Sequence, residues 1–254
     1  MFVEKPDFRL GATKVLIVTG GPQQTDIIDI KDPSFNCTKP KQFPVSWSHA
    51  VGGLVGQVPF VCERVSNGCY ALQQSGSWQK DRYATGERWA ATGSLVINDK
   101  LVIAGGWRSQ GSTTLTSIQV ALPNTRTKTL SVRLPVARYS ACMVPWDADT
   151  FLMIGGGDST WKSMKNTYYV NMNTNRVTNG PTLLTARRFH ACNEIIVNGE
   201  SFIIVAGGSG SGAGTSTEYL SKSSTGNRWK AGKIIILKTY VQMYYYLTSF
   251  FFSI

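Results

Sequence analysis

The stretch KLVIAGGWRSQG, residues 100–111, joins a run of aliphatic residues directly to two glycines, Gly105 and Gly106. Aliphatic and β-branched residues followed by glycine are typical of a buried strand that ends in a turn. Nearly the same ending occurs three more times, in KVLIVTGGPQQ (14–24), TFLMIGGGDST (150–160) and SFIIVAGGSGS (201–211). A strand ending that recurs along the chain indicates an internal repeat.

The segments around these endings share a longer pattern. Three of them read as two short strands around a polar turn, and each follows a tetrad of the form Arg-aromatic-x-Ala. The alanines of these tetrads, Ala91, Ala141 and Ala191, lie fifty residues apart. A related tetrad, 47–50, leads to Glu63-Arg64 in the double-glycine place, so we expect the second unit to be irregular. About four short strands in a fifty-residue unit predict the blade of a β-propeller.

Aromatic markers follow the glycines in several units. Tyr70, Tyr169 and Tyr219 recur at similar places, and Trp78 and Trp229 come further on. Together with the double glycines and the tetrads, these markers resemble the kelch repeat over roughly residues 14–230. The third unit has Ile118 near the usual tyrosine, and the fourth has Val177 where tryptophan would stand.

The kelch resemblance implies an all-β, kelch-type β-propeller of about five four-stranded blades, with double-glycine positions near residues 20, 63, 105, 155 and 207. Kelch propellers usually close with six or seven blades, so we expect this one to be incomplete or open. Where blades pack around an axis, a residue without a Cβ adopts positive φ and leaves room for a neighbouring backbone. That requirement explains why the strands end in paired glycines.

The repeat pattern divides the chain into a propeller, residues 1–232, and an off-pattern hydrophobic tail, residues 233–254. Between Ile234 and Ile254 only Lys238 is charged. The tail is just long enough to span a bilayer, but Gln242 and several hydroxyl groups dilute it. We interpret it as an aberrant terminus, and expect membrane contact only if the tail is a genuine anchor.

Charge and cysteine content bear on partners and compartment. The 254 residues include 26 Lys and Arg against 15 Asp and Glu, a formal net charge of +11, which favours acidic partners. We do not expect nucleic acid, because no nucleic-acid module is visible. Cys142 and Cys192 are interpreted as small buried apolar side chains. Cys62 and Cys69 would face each other across a hairpin, which matters only in an oxidising compartment.

The compartment itself stays open. Asn36-Cys37-Thr38 fits the N-glycosylation pattern. However, the N-terminal residues MFVEKPDFRL contain charges where a signal peptide needs an apolar stretch. This slightly favours the cytoplasm, and a secreted protein requires a signal peptide upstream of the given sequence.

The sequence predicts no catalytic residue, metal ligand or cofactor. Galactose oxidase is the precedent for an enzyme of this kind, but its copper site needs several His and Tyr ligands, and this chain has only His49 and His190. The glycine-rich segment 207–216 lacks the Lys-Ser/Thr ending of a phosphate loop. We therefore expect a non-catalytic protein.

The resemblance implies that ligands dock on one face, built from the loops after the double glycines and before the innermost strands. The candidate partner-binding residues there are Trp47, Arg88, Trp107, Arg108, Arg138, Asp158, Trp161 and Arg188. In adaptor kelch domains the arginine matching Arg138 contributes to gripping acidic peptides, and arginine binds carboxylates bidentately. The alternative is that these arginines brace neighbouring blades through backbone carbonyls.

The predicted function is binding of a protein or acidic peptide. The resemblance implies substrate recognition in a cullin-type ubiquitin ligase adaptor, although the BTB and BACK segments of those adaptors are not in this chain. One alternative is a secreted or cell-surface propeller that binds glycan or matrix. A galactose-oxidase-like enzyme is a more distant alternative.

Overall fold

A computed structural model describes residues 14–18, 25–29, 37–38, 41–45, 50–63, 68–81, 93–108, 113–223, 228–232 and 250–252. For the strands before residue 41, for Arg108 and for residues 250–252, only the backbone is described. Every regular element in this part of the chain is a β-strand.

Five antiparallel sheets of four strands each, called blades one to five here, follow one another along the chain. Blade one contains β1 (Lys14–Val18), β2 (Thr25–Asp29), β3 (Cys37–Thr38) and β22 (Phe250–Phe252). Blade two contains β4 (Val51–Val55), β5 (Val58–Cys62), β6 (Cys69–Leu72) and β7 (Trp78–Lys80). Blade three contains β8 (Gly93–Ile97), β9 (Lys100–Ala104), β12 (Ser117–Ala121) and β13 (Lys128–Arg133).

The last two blades have the same order of strands. Blade four contains β14 (Cys142–Pro145), β15 (Thr150–Ile154), β16 (Thr167–Asn171) and β17 (Arg176–Asn179). Blade five contains β18 (Ala191–Val197), β19 (Glu200–Ala206), β20 (Thr217–Ser221) and β21 (Lys230–Ala231). A two-stranded ribbon, β10 (Trp107–Arg108) with β11 (Thr113–Thr114), follows the double glycine of blade three.

The blades lie side by side around an axis. The strands at the inner end of each sheet, β22, β4, β8, β14 and β18, neighbour one another in that order. The predicted all-β architecture, an open propeller of about five four-stranded blades, is therefore confirmed.

Apolar cores fill the spaces between adjacent blades. In β9, Leu101 and Ile103 pack against blade two, whereas Val102 and Ala104 pack against blade four. The next core joins Leu152 and Ile154 of blade four to residues of blade five. A strand buried on both faces must be apolar at successive positions, which explains the uninterrupted aliphatic run in KLVIAGG.

The paired glycines leave room for a carbonyl oxygen of the next blade. Gly105 has φ +66°, and a Cβ there would lie 2.5 Å from the backbone oxygen of Arg138. Gly155, with φ +57°, has the same relation to Arg187, at 2.6 Å. The following glycine donates its N–H to the same oxygen, from Gly106 at 2.8 Å to Arg138. The double glycine is thus the joint between consecutive blades.

Blade two closes this joint differently. Glu63 does not adopt positive φ, and its N–H donates to the Gly68 carbonyl at 2.8 Å. The buried Glu63 carboxylate accepts the Gly68 N–H at 3.2 Å. A disulfide between Cys62 and Cys69, which are paired across β5 and β6, ties the two ends of this loop. The turn of blade two therefore differs from the double-glycine turns of the other blades, and Glu63 carries no positive-φ backbone strain.

The interpretation of Cys142 and Cys192 as separate apolar side chains is corrected by a disulfide between them. Cys142 lies on β14 and Cys192 on β18, the innermost strands of blades four and five. Residues fifty positions apart meet because equivalent strands of adjacent blades stand next to each other at the axis.

Part of the predicted hydrophobic tail adds a strand to blade one. Phe250–Phe252 pairs antiparallel with β1, with Ile17 opposite Phe251. This strand, β22, takes the inner position that β4, β8, β14 and β18 take in the other blades. The rest of the tail lies outside the described residues, and the boundary at residue 232 stays a prediction.

Candidate binding site

Arg138 braces blade four. Its side chain is fully buried, and one guanidinium nitrogen donates to the carbonyl oxygens of Gly155, at 2.8 Å, and Asn166, at 3.2 Å. The guanidinium carbon lies 4.5 Å from the ring centroid of Tyr168. Burial lowers its pKa to about 10. The structure thus places Arg138 in the bracing role, and not on a surface that a partner can reach.

Arg187 has the same role in blade five. It is fully buried and donates to the carbonyl oxygens of Gly207, at 2.8 Å, and Ser216, at 3.2 Å. Its second terminal nitrogen forms an ion pair with Glu218 at 2.7 Å. Glu218 occupies the place of Tyr168. An equivalent buried arginine therefore contacts an aromatic ring in blade four and a carboxylate in blade five.

The repeat register in the last tetrad is therefore shifted by one residue. Tyr139 exchanges two backbone hydrogen bonds with Gly157, and Arg188 exchanges two with Ser209. Arg188 is thus equivalent to Tyr139, and not to Arg138. The fifty-residue spacing of Ala141 and Ala191 is a coincidence of sequence, because His190 takes the structural place of Ala141 against the double glycine.

Asp158 and Trp161 belong to one tight loop of blade four. The Asp158 carboxylate accepts the Thr160 hydroxyl at 2.7 Å and the N–H groups of Thr160 and Lys162 at 2.9 and 3.0 Å. These hydrogen bonds, led by the one from the Thr160 side chain, lower the Asp158 pKa. The loop holds Trp161 at φ +65° with 43% of its surface exposed. Asp158 therefore acts indirectly: it fixes the loop conformation that leaves Trp161 exposed.

Trp161 lies within a cluster that spans blades three, four and five. Its ring centroid is 5.6 Å from that of Trp107 and 5.2 Å from that of Tyr139, and Tyr139 is 5.9 Å from Phe189. The Arg188 guanidinium donates to the Trp161 carbonyl and lies 6.0 Å from the Phe189 ring centroid. We call this cluster the aromatic patch: Trp107, Trp161, Arg188 and Phe189, which are at least partly exposed, with the buried Tyr139 packed between Trp161 and Phe189.

The structure thus brings three of the predicted residues together: Trp107, Trp161 and Arg188. Trp47 and Arg88 lie outside the described residues, and Arg108 is described only as a backbone partner of Thr113. Sequence reasoning missed Tyr139 and Phe189 as members of the cluster. The aromatic position of the tetrads was the available signal, since both residues stand in it.

His190 is buried beside the patch. Neither ring nitrogen has a hydrogen-bond partner among the described residues. The pKa of His190 falls to about 3, mainly because of burial and then because of the nearby Arg187 cation. The Ile154 carbonyl partly opposes this lowering, although it forms no hydrogen bond of normal geometry with the ring. His190 is therefore neutral in the folded protein across the physiological range.

This neutral histidine predicts acid destabilisation. The unfolded chain binds a proton at His190 below its ordinary pKa of 6.5, whereas the folded chain does so only near 3. Stability is therefore lost as pH falls from 6.5 toward 3, by about 2 kcal/mol at pH 5. Urea unfolding at pH 7 and pH 5 checks this. His190→Ala, which copies Ala141, should reduce the difference. An unchanged pH dependence in His190→Ala would contradict the assignment.

In the described part of the chain, no group of three or more His, Cys, Asp and Glu residues is arranged to hold a metal ion. No helix long and apolar enough to cross a membrane occurs among the same residues.

Comparisons with known proteins give a fold and no family. No family model and no curated protein sequence matches the chain. A solved structure described as "Structure of YjhT" is similar, with a TM-score of 0.69 and 12% sequence identity, over 87% of this chain and 81% of that one. At this identity the similarity shows the propeller-like fold alone.

Proposed function

We propose that this propeller is a non-catalytic binding module that recognises a protein or peptide, preferably an acidic one, through the aromatic patch. The observation that carries the proposal is the exposed Trp161, held at positive φ by the Asp158 loop. A bulky residue at positive φ is an outlier, and such outliers cluster at functional sites. Aromatic and arginine anchors also dominate binding hot spots.

The preference for an acidic partner rests on charge. Arg188 is the cation of the patch, and the whole chain has a formal net charge of +11. A positive field accelerates encounter with acidic partners, and the arginine fork binds carboxylates. Kelch membership and substrate recognition in a ubiquitin ligase adaptor are finer parts of this proposal, supported by the double-glycine repeat and the propeller-like fold.

Peptide selection tests the proposal. A random peptide library displayed on phage is selected against the full chain, and enriched peptides are synthesised for calorimetry. We expect enrichment of Asp and Glu, and Trp161→Ala should weaken binding at least about tenfold, or roughly 1.4 kcal/mol. Ile196→Ala is the matched control, because Ile196 is 75% exposed on the β18–β19 hairpin, outside the patch. Selected peptides without acidic residues, or equal affinity in Trp161→Ala, would refute it.

The secreted alternative also has a specific observation in its favour. Cys62–Cys69 and Cys142–Cys192 are both disulfides, and disulfides persist mainly in oxidising, extracytoplasmic environments. In this second candidate the aromatic patch binds a glycan or matrix component. A glycan array probed with the wild type and Trp161→Ala distinguishes the two candidates, since only the second predicts a glycan signal that depends on Trp161.

A further inference from the structure

The outermost strands of blades two to five have charge of a single sign. Each charged residue in β7, β13, β17 and β21 is basic. These residues, with Arg228 just before β21, form what we call the basic band: Lys80, Lys128, Arg133, Arg176, Arg228 and Lys230. All six are exposed, and none forms an ion pair with another described residue.

Contacts join the outer edges of the successive blades that carry the band. Between blades two and three, the Asp81 carboxylate accepts the Asn124 N–H at 2.7 Å. Strands β13 and β17 of blades three and four lie next to each other. Between blades four and five, the Trp229 indole donates to the Pro181 carbonyl at 2.9 Å. Basic side chains flank each of these joints.

The acidic residue closest to the band in sequence does not neutralise it. Asp81 follows Lys80 directly, but it is buried and oriented toward the Asn124 N–H. Asp99 and Asp147 lie instead in turns between the two inner strands of their blades, and Glu200 begins β19 after such a turn. The exposed acids whose side chains are described thus lie at the inner hairpins, whereas the outer strands carry only basic charge, beyond the isolated lysines that protect edge strands from pairing.

We infer that the basic band binds a linear sulfated polysaccharide of the glycosaminoglycan class. A row of basic side chains that crosses four blades matches a linear polyanion, and guanidinium forks bind sulfate oxygens as they bind phosphate. The two disulfides favour the extracellular compartment, and hence a sulfated polysaccharide over nucleic acid. This surface is separate from the aromatic patch, so the inference does not depend on which ligand the patch binds. It rests on the extracellular placement of the second candidate function, and not on the ubiquitin ligase role of the first.

Heparin oligosaccharides of defined length are the probe, bound to the full chain at several sodium chloride concentrations. Lys128→Gln combined with Arg176→Gln should weaken binding about tenfold and reduce the slope of log affinity against log salt by about one to two. Lys100→Gln combined with Lys165→Gln is the matched control. It removes the same charge from exposed residues outside the band, and its affinity should stay within about twofold.

Three results would overturn the inference. One is equal weakening by both double variants, which indicates general attraction to the positive net charge. Another is absence of heparin binding by the wild type at 0.15 M salt, roughly physiological ionic strength. The third is tighter binding of a duplex DNA of matched charge with the same response to Lys128 and Arg176, which assigns the band to nucleic acid. Trp161→Ala should leave heparin affinity unchanged, so failure of this inference is distinguishable from failure of the patch.

Discussion

Replacement of Arg187 with methionine is expected to lower the free energy of unfolding by about 3–5 kcal/mol. The Glu218 carboxylate also accepts the N–H groups of Leu184 and Thr185, at 2.7 and 2.9 Å. Loss of the guanidinium leaves this carboxylate, only 2% exposed, without its counter-ion. It also removes donors from the carbonyls of Gly207 and Ser216 at the joint of blade five.

Urea unfolding of single and double variants measures this effect. Glu218→Gln combined with Arg187→Met should cost less than the sum of the single changes, because the two side chains are directly coupled. Arg188→Met is the control, since Arg188 is part-exposed and, among the described residues, its side chain donates hydrogen bonds to Trp161 and Ser163 and to no buried carboxylate. It should cost about 1 kcal/mol or less. Equal losses in Arg187→Met and Arg188→Met would contradict the shifted register of the repeat.

Gly155→Ala is expected to destabilise the protein by about 3 kcal/mol or more. Its φ is +57°, and a Cβ would lie 2.6 Å from the Arg187 carbonyl oxygen and 2.9 Å from a ring carbon of His190. The clashing oxygen belongs to the backbone, so relief requires blades four and five to move apart. The cost therefore combines left-handed strain with a steric clash at the joint.

Gly199→Ala separates these two contributions. Gly199 has φ +80° in the β18–β19 turn, and a Cβ there would meet no atom within 4 Å. Its substitution should cost only the left-handed strain, about 1 kcal/mol. Thermal and urea unfolding of both variants gives the comparison. Similar losses at Gly155 and Gly199 would show that the double glycine serves the turn alone.

The architecture was predictable from sequence because it depends on a repeated local signal. Paired glycines are needed after an aliphatic strand wherever a backbone carbonyl of the next blade packs against the end of that strand. The Arg138 carbonyl packs against Gly105 in this way. The spacing of these pairs therefore predicted the blades and the position of Trp161 on a loop. Trp107 was predicted on a loop as well, but it lies in β10 of the two-stranded ribbon, paired with Thr114.

The replacement at Glu63 correctly predicted that blade two is irregular. The sequence placed Cys62 opposite Cys69, but it did not decide whether the two form the disulfide found at this loop.

The errors came from features that depend on three-dimensional proximity. Arg187 and Arg188 are adjacent arginines, and the tetrad pattern alone selects Arg188, whereas burial and the Glu218 ion pair select Arg187. Cys142 and Cys192 carry no sign of pairing until the innermost strands are placed side by side. The pairing of Phe251 with Ile17 was hidden for the same reason, because it joins opposite ends of the chain.

The fold requires equivalent strands of successive units to stand next to one another around an axis. Peptide mapping of the unreduced protein by mass spectrometry tests this requirement. We expect Cys142 to be linked to Cys192, which joins the innermost strands of blades four and five, and Cys62 to be linked to Cys69. After the protein has been exposed to an oxidant, linkage of Cys142 or Cys192 to any other cysteine, or failure of the two to cross-link, would contradict this arrangement of the blades.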